Sequence, residues 1–105
     1  MTSKRILITG ANGLLGQSLL FLGQYRHVLL ATGRGPVRGN HFGFPDAELD
    51  TTRPEDFERV LTEFKPDVVI HSAAMTQVDD CEKEPEACHL LNVDATRFCA
   101  EACAR

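Results

Sequence analysis

Three glycines spaced three residues apart, Gly10, Gly13 and Gly16, are the residues of this sequence best suited to bind a phosphate group. They follow the apolar segment 6–8, which is typical of a short buried strand, and leucines at helical spacing come after them. At such a junction the first glycine permits a tight turn, the second lets a phosphate approach the backbone, and the third lets the helix pack closely on the strand. The pattern predicts a pyrophosphate site at the positive end of a helix. The alternative is a glycine-rich turn without a ligand, because the spacing is not the common Gly-x-Gly-x-x-Gly.

Arg34 bears on which dinucleotide such a site would bind. About twenty residues after the glycines, a carboxylate usually accepts a hydrogen bond from the ribose 2′-OH of NAD. Residues 31–34 read Ala-Thr-Gly-Arg and contain no acid. A guanidinium pairs well with phosphate oxygens, so Arg34 favours the 2′-phosphate of NADP, with NAD as the other possibility. A solvated loop arginine is the alternative, and Arg38 is a weaker candidate of the same kind.

Polar and small residues follow two later strand-like segments. Asp50, beside Thr51, could accept a hydrogen bond from the adenine amine, or it could cap the helix that begins near Pro54. The small residues 72–74 follow an apolar run, at the sheet edge where ligands bind in folds of this kind. They could let the ribose and nicotinamide lie against the backbone, or they could serve close packing.

Strand and helix patterns alternate along the chain. Strands are expected at 6–8, 27–31, near 48–49 and at 68–71, and helices after the glycines, from residue 54 to the proline at 66, and from about 85 to the end. A long loop separates the second and third strands. This alternation predicts an α/β fold with a Rossmann-like parallel sheet, strand order 3-2-1-4, and helices on both faces.

Composition excludes several classes of partner. The 105 residues suffice for one domain, and the formal net charge of −4 argues against nucleic acid. No apolar run approaches the length of a membrane span or of a signal peptide, so we expect a cytoplasmic protein with no membrane partner.

The cysteines lie in the last quarter of the chain, at Cys81, Cys88, Cys99 and Cys103. An even number could indicate disulfides, but no export signal supports an oxidising compartment, and the spacing is not that of a zinc site. Positions 88, 91, 95, 99 and 102 form a stripe at helical spacing. We therefore expect free cysteines that act as small core residues, and no metal.

The segments ILITGANGLLGQSL and HSAAMTQVDDCEKEPEACHLLNV resemble extended short-chain dehydrogenases/reductases, and most closely the dTDP-4-dehydrorhamnose reductase family. The resemblance covers nearly the whole chain. It implies an NADP-binding Rossmann-like domain over residues 1–105 and, in the full-length protein, hydride transfer to a 4-keto sugar nucleotide. Together with Arg34, the predicted cofactor-binding positions are Gly10, Asn12, Gly13, Leu14, Leu15, Gly16, Asp50, Thr51, Ala73, Ala74 and Thr76. Thr76 and Val78 would face the sugar nucleotide, and Asn92 would have a structural role or bond the nearby backbone.

The family's chemistry requires a Tyr-x-x-x-Lys pair, in which tyrosine donates a proton and lysine lowers its pKa. The only tyrosine is Tyr25, at the end of the first helix, and Leu29 stands four residues later. We therefore expect no catalytic residue and no turnover from residues 1–105, as in a partial domain that stops before a fifth strand and lacks the substrate domain. The open edge of the fourth strand predicts pairing with a second copy, or instability. The alternatives are a non-catalytic NADP-binding regulatory subunit, like the β subunit of methionine adenosyltransferase, and another sugar-nucleotide epimerase or dehydratase.

Overall fold

Short strands alternate with helices through the chain. The computed structural model describes residues 3–11, 13–33, 46–73 and 78–104. In chain order the elements are β1 (Arg5–Thr9), α1 (Leu14–Gly23), β2 (Val28–Gly33), β3 (Asp46–Glu48), α2 (Pro54–Phe64), β4 (Val68–His71), α3 (Val78–Lys83), α4 (Pro85–His89), a π-helical turn (Leu90–Asp94) and α5 (Ala95–Cys103).

The strands form one parallel sheet in the order β3-β2-β1-β4. Leu7 of β1 pairs with Leu30 of β2 on one side and with Val69 of β4 on the other. The predicted order and direction are confirmed, and β4 has the predicted bounds. The second strand runs further than predicted, to Gly33, and β3 lies just before the predicted position.

Helices cover both faces of the sheet, as predicted. One face carries a cluster of buried side chains from the sheet, α2 and α5: Leu7, Leu30, Leu49, Phe57, Val60 and Cys99. The other carries a cluster from the sheet, the glycine turn and α1: Ile8, Ala11, Leu20, Leu29 and Ala31. Alternation along each strand separates the two sets, because successive side chains of a strand point to opposite faces.

Helix α2 follows its local sequence signals. Pro54 occupies the first turn with Glu55 and Asp56 beside it, where carboxylates interact favourably with the helix dipole. The helix ends at Phe64, because Lys65 adopts a left-handed conformation with φ 53° and its amide bonds the Leu61 carbonyl at 2.8 Å. These bounds confirm the predicted helix between the two prolines.

Arg5 joins the start of β1 to the end of α2. Its Nε and Nη2 donate to the Phe64 carbonyl at 3.0 and 2.6 Å, and its guanidinium lies 4.3 Å from the centre of the Phe64 ring. The Arg5 amide donates to Asp67 Oδ2 at 2.8 Å, and the Asp67 amide donates to the Arg5 carbonyl at 2.7 Å. These contacts hold the amino-terminal edge of the sheet together.

The prediction that all the cysteines are free is wrong for two of them, because Cys81 of α3 and Cys88 of α4 form a disulfide. The chain turns at Glu84, just before Pro85 begins α4, and this turn brings the two Cα atoms within 5.1 Å of each other. Cys99 is free and buried, and Cys103 is free and exposed. The helix predicted from residue 85 onward is present, but a π-helical turn interrupts it.

Candidate functional site

The turn after β1 brings the chain back on itself at Gly10. Gly10 has φ +67°, a left-handed conformation that side chains disfavour, and its carbonyl accepts from the Gly13 amide at 3.0 Å. A Cβ at Gly10 would lie 2.8 Å from the Ala73 nitrogen, so this turn packs against the backbone that follows β4. A glycine is required here by both the conformation and the space.

The other two glycines of the motif differ in their surroundings. Gly16 is buried, and a Cβ there would lie 2.7 Å from the Ala11 Cα, so its absence lets α1 pack directly on the turn. Gly13 is exposed, with φ −77° and ψ 169°, and among the described atoms a Cβ there would meet only the Gly10 carbonyl oxygen, at 3.3 Å. The outward side of Gly13 is therefore open to an approaching group.

The first turn of α1 presents backbone amides at this opening. The Gln17 amide bonds the Gly13 carbonyl at 3.0 Å, and the amides of residues 14–16 precede this bond and have no acceptor within the helix. The N-cap residue is Gly13, which has no side chain to cap the helix, and no carboxylate stands in the first turn of α1. Gln17 Nε2 donates to the Ala11 carbonyl at 2.6 Å and so fixes the turn. The pyrophosphate of a dinucleotide fits this turn. The amides are open, the positive end of the α1 dipole lies here, and no acid in the turn repels a negative charge.

A hydrogen-bond network centred on Thr9 holds the end of β4 beside this turn. Thr9 Oγ1 accepts from the Ser72 amide at 3.0 Å and the Ala73 amide at 3.2 Å. Because both acceptor positions of the hydroxyl are used, its proton donates to His71 Nδ1, which lies 2.8 Å away. The imidazole proton is then on Nε2. Ala73 is thereby fixed next to Gly10.

His71 is held in its neutral form. Burial lowers the pKa of His71 because it disfavours the charged imidazolium. The Phe57 ring approaches its ring edge-on with the centroids 6.2 Å apart, and Nε2 is buried with no hydrogen-bond partner among the described atoms. Sequence reasoning missed this network, although Thr9 and His71 end neighbouring strands in register and that pairing is a usable signal.

Asp50 forms a local turn and does not cap α2. Its Oδ1 accepts from the Thr52 amide at 3.0 Å and the Thr52 hydroxyl at 2.6 Å, and its own amide donates to Asp56 Oδ2 at 3.1 Å. The N-cap of α2 is Arg53, which makes no side-chain capping bond. The capping alternative is therefore wrong, because the Asp50 turn closes before the helix begins. Thr51 is only 3% exposed, and its hydroxyl has no hydrogen-bond partner among the described atoms.

The predicted site residues fall into three groups. Those brought together at the turn are Gly10, Gly13, Leu14, Leu15, Gly16 and Ala73. Asp50 and Thr51 follow β3, so they lie at the same carboxyl edge of the sheet, at the opposite side of the sheet from β4. Those outside the described residues are Asn12, Arg34, Ala74 and Thr76, together with Arg38.

Two features are absent from the part of the chain that the structure describes. None of its helices combines the length and the apolar character needed to cross a bilayer. Within the same residues, no three His, Cys, Asp or Glu side chains gather closely enough to hold a metal ion.

A parallel sheet in the order 3-2-1-4, with a glycine turn at the carboxyl edge of its first strand, defines a Rossmann-like fold. Residues 4–105 match the sequence model of the family described as the RmlD substrate binding domain, and the chain belongs to this family.

Individual relatives agree with this membership. The dTDP-4-dehydrorhamnose reductase of Aggregatibacter actinomycetemcomitans is 39% identical over 96% of this chain and 31% of its own length. The methionine adenosyltransferase 2 subunit beta of Xenopus laevis is 38% identical over 97% of this chain and 29% of its own. Among solved structures, the Bordetella bronchiseptica enzyme WbmG in complex with NAD superposes with a TM-score of 0.81 at 30% identity, over 98% of this chain and 34% of that one. The chain thus spans about a third of the length of the curated relatives it matches.

Proposed function

We propose that this chain is the cofactor-binding part of an NADP-dependent sugar-nucleotide reductase that acts on dTDP-4-dehydrorhamnose. The observation that carries the proposal is the glycine turn, where the first amides of α1 have no acceptor within the helix and where, among the described atoms, a Cβ at Gly13 would meet only the Gly10 carbonyl oxygen. The proposal is also supported by the similarity of this chain to a dTDP-4-dehydrorhamnose reductase and to an enzyme whose structure was solved with NAD. The family description names a substrate-binding domain, whereas the geometry of this turn favours a dinucleotide.

In this proposal the start of α1 and Gly13 bind the pyrophosphate, and the Thr9 network holds Ala73 beside it. The other assignments are Arg34 at the 2′-phosphate, Asp50 and Thr51 near the adenine, Asn12 at the glycine turn, and Ala74 and Thr76 beside the ribose and nicotinamide. The bound nicotinamide supplies the hydride for the 4-keto sugar in the full-length reductase. No residue of this chain is assigned as proton donor, so we expect no turnover from these 105 residues.

The pyrophosphate assignment is tested with Gly13→Ala. Alanine fits the backbone conformation of Gly13, so the variant keeps its fold, but its methyl group stands where the phosphate approaches. Since a hydrogen bond to a charged group contributes about 1.5–3 kcal/mol, losing one weakens NADPH binding about tenfold or more. The measurement is isothermal titration calorimetry with NADPH, with thermal melting as the check on folding.

Gly23→Ala is the matched control for this experiment. Its Cβ would lie 3.3 Å from the Leu29 Cδ1, at the far end of α1 from the glycine turn. The control should bind NADPH as the wild type does. Equal NADPH affinities for Gly13→Ala and Gly23→Ala would remove the basis for a pyrophosphate site.

Cofactor choice has a separate test in Arg34→Ala. If the guanidinium pairs with the 2′-phosphate, the substitution lowers the preference for NADPH over NADH about tenfold or more, and it leaves NADH binding unchanged. The ratio of the two dissociation constants measures this preference. An unchanged ratio, or a wild type that binds NADH more tightly, contradicts the NADP assignment.

A second candidate function is a non-catalytic NADP-binding regulatory subunit. The similarity to the Xenopus laevis methionine adenosyltransferase 2 subunit beta favours it. Both candidates bind the dinucleotide, but only the reductase oxidises NADPH when dTDP-4-dehydrorhamnose is added to the full-length protein. Cofactor binding without such turnover would favour the regulatory subunit.

The proposal also includes a cytoplasmic location and a second copy of the chain as a partner. Among the described strands, β4 is the sheet edge beside β1, and Val68 at its start is exposed. An unpaired edge favours pairing with another strand. Sedimentation velocity at increasing concentration tests this partner, and a monomer throughout the range contradicts it.

A further inference from the structure

The Thr9 hydroxyl uses its whole capacity for hydrogen bonds. A hydroxyl oxygen has two lone pairs and one proton. The amides of Ser72 and Ala73 donate to the lone pairs, at 3.0 and 3.2 Å, and the proton is donated to His71 Nδ1, 2.8 Å away. This arrangement requires His71 Nδ1 to be an acceptor, so it exists only while the imidazole is neutral and its proton is on Nε2.

Protonation of His71 reverses its bond to Thr9. An imidazolium carries a proton on both nitrogens and accepts no hydrogen bond. Nδ1 then donates to Thr9 Oγ1, and one of the two backbone amides loses its acceptor. The Ala73 bond is the longer of the two, and Ser72 is also held by its own hydroxyl, which donates to the Thr9 carbonyl. The amide that is released is therefore that of Ala73.

Ala73 is the residue against which the glycine turn packs. A Cβ at Gly10 would lie 2.8 Å from the Ala73 nitrogen and 2.9 Å from the Ala73 Cα. The Gly10 carbonyl in turn accepts from the Gly13 amide at 3.0 Å, and Gly13 is the N-cap of α1. Because closely packed contacts transmit displacements, a movement of Ala73 changes the geometry of the turn that faces a pyrophosphate.

We propose that His71 is a positioning residue for the dinucleotide: the neutral imidazole keeps Ala73 against Gly10, and the imidazolium releases Ala73 and weakens binding. The inference rests on the proposed function of the glycine turn. By linkage, the proton on His71 and the dinucleotide each lower the affinity of the protein for the other. Affinity for the dinucleotide should therefore rise as pH rises through the titration of His71, and binding near that pH should release a proton.

The described residues around His71 contribute few other titratable groups. Thr9 of β1 and Phe57 of α2, which contact its ring, do not titrate. Of the titratable side chains that the structure describes on α2 and α5, Asp56 and Cys99 are the two that are not exposed. The Asp56 carboxylate accepts from a backbone amide at 3.1 Å, and burial raises the pKa of Cys99 to about 11, so its thiol stays neutral. Burial lowers the pKa of His71, so we expect its titration below about pH 6.5.

Nuclear magnetic resonance of the full chain without cofactor tests the positioning step. The ring signals of His71 report its protonation between about pH 8 and 4.5, and the backbone amide signals of Ala73 and Gly10 should shift with the same midpoint. In His71→Asn, the side-chain carbonyl supplies an acceptor that does not titrate, so these amide signals should lose that midpoint. Amides of Ala73 and Gly10 that stay unchanged while His71 titrates, or a chain that unfolds before His71 is protonated, overturn the proposal.

Isothermal titration calorimetry with NADP⁺ tests the effect on binding. Between about pH 8 and the pH at which His71 is protonated, the affinity of the wild type should fall about three- to tenfold more than that of His71→Asn, as expected for the loss of one hydrogen bond. The 2′-phosphate of the ligand also titrates, but it does so equally with both proteins. Equal pH dependence in the two proteins overturns the proposal. Failure of both proteins to bind NADP⁺ at every pH refutes the proposed function itself, and with it this role, even where the amides titrate with His71.

Discussion

Replacing Gly10 with alanine perturbs the close approach of the glycine turn to the backbone that follows β4. At φ +67°, an L-residue costs about 1–2 kcal/mol relative to glycine. The new Cβ would lie 2.8 Å from the Ala73 nitrogen, so the two backbone segments must separate by about 0.6 Å to reach the ordinary contact distance of 3.4 Å. Overpacking against atoms that cannot rotate away costs about 1–3 kcal/mol. We therefore expect Gly10→Ala to lower the free energy of unfolding by about 2–5 kcal/mol.

The assay is urea unfolding followed by far-ultraviolet circular dichroism, with Gly23→Ala as the reference variant. In that reference the added Cβ meets only side-chain atoms of Leu29, of which the nearest is 3.3 Å away, and these can adjust. Its free energy of unfolding should change by less than about 1 kcal/mol. If the two variants unfold at the same urea concentration with the same slope, the reasoning about the Gly10 turn is refuted.

Three further predictions concern titration and the core. As pH falls below about 6.5, the unfolded chain binds a proton that buried His71 resists, so the free energy of unfolding should fall between pH 7 and 5; the loss should be smaller in His71→Gln, measured by urea unfolding. Burial raises the pKa of Cys99 to about 11, so iodoacetamide at pH 8 should modify Cys103 first, as read by peptide mass spectrometry. Phe57→Ala should lower the free energy of unfolding by about 3–5 kcal/mol, and a loss under 1 kcal/mol would contradict its place in the core.

Local signals explain why much of the fold could be predicted from the sequence. The bounds of α2 follow from Pro54 at its start and from the turn at Lys65 before Pro66, and these signals act within a few residues. Strand order follows from alternation of elements and from the handedness of crossovers, which needs no knowledge of individual contacts. The glycine turn was predictable for the same reason. A φ of +67° at Gly10 favours glycine, and this preference depends only on the local backbone.

Long-range contacts explain what the sequence did not reveal. The Thr9–His71 bond joins residues 62 positions apart, and only the strand register brings them together. On α1, Leu20 is buried as expected, but Leu15 and Leu22 are 60% and 71% exposed, because the helix meets the sheet along a narrower face than leucine spacing suggests.

The cysteine stripe is confirmed at Ala95, Cys99 and Ala102, and it is wrong at Cys88 for a geometrical reason. Its positions assume one uninterrupted α-helix, but the π-helical turn at Leu90–Asp94 changes the angular position of residues before it relative to those after it. Ala95 and Cys99 therefore face the core, whereas Cys88 is left to pair with Cys81. The break at Glu84 that permits this pairing has no strong sequence signal besides Pro85.

The contacts of Arg5 lie at the opposite end of β1 from the glycine turn. One five-residue strand therefore has these contacts at its start and the glycine turn at its end. Substitutions near Arg5 can alter thermal stability while the glycine turn keeps its geometry. Such a division lets natural variation at the start of the strand adapt stability to a new growth temperature and leave the glycine turn unaltered.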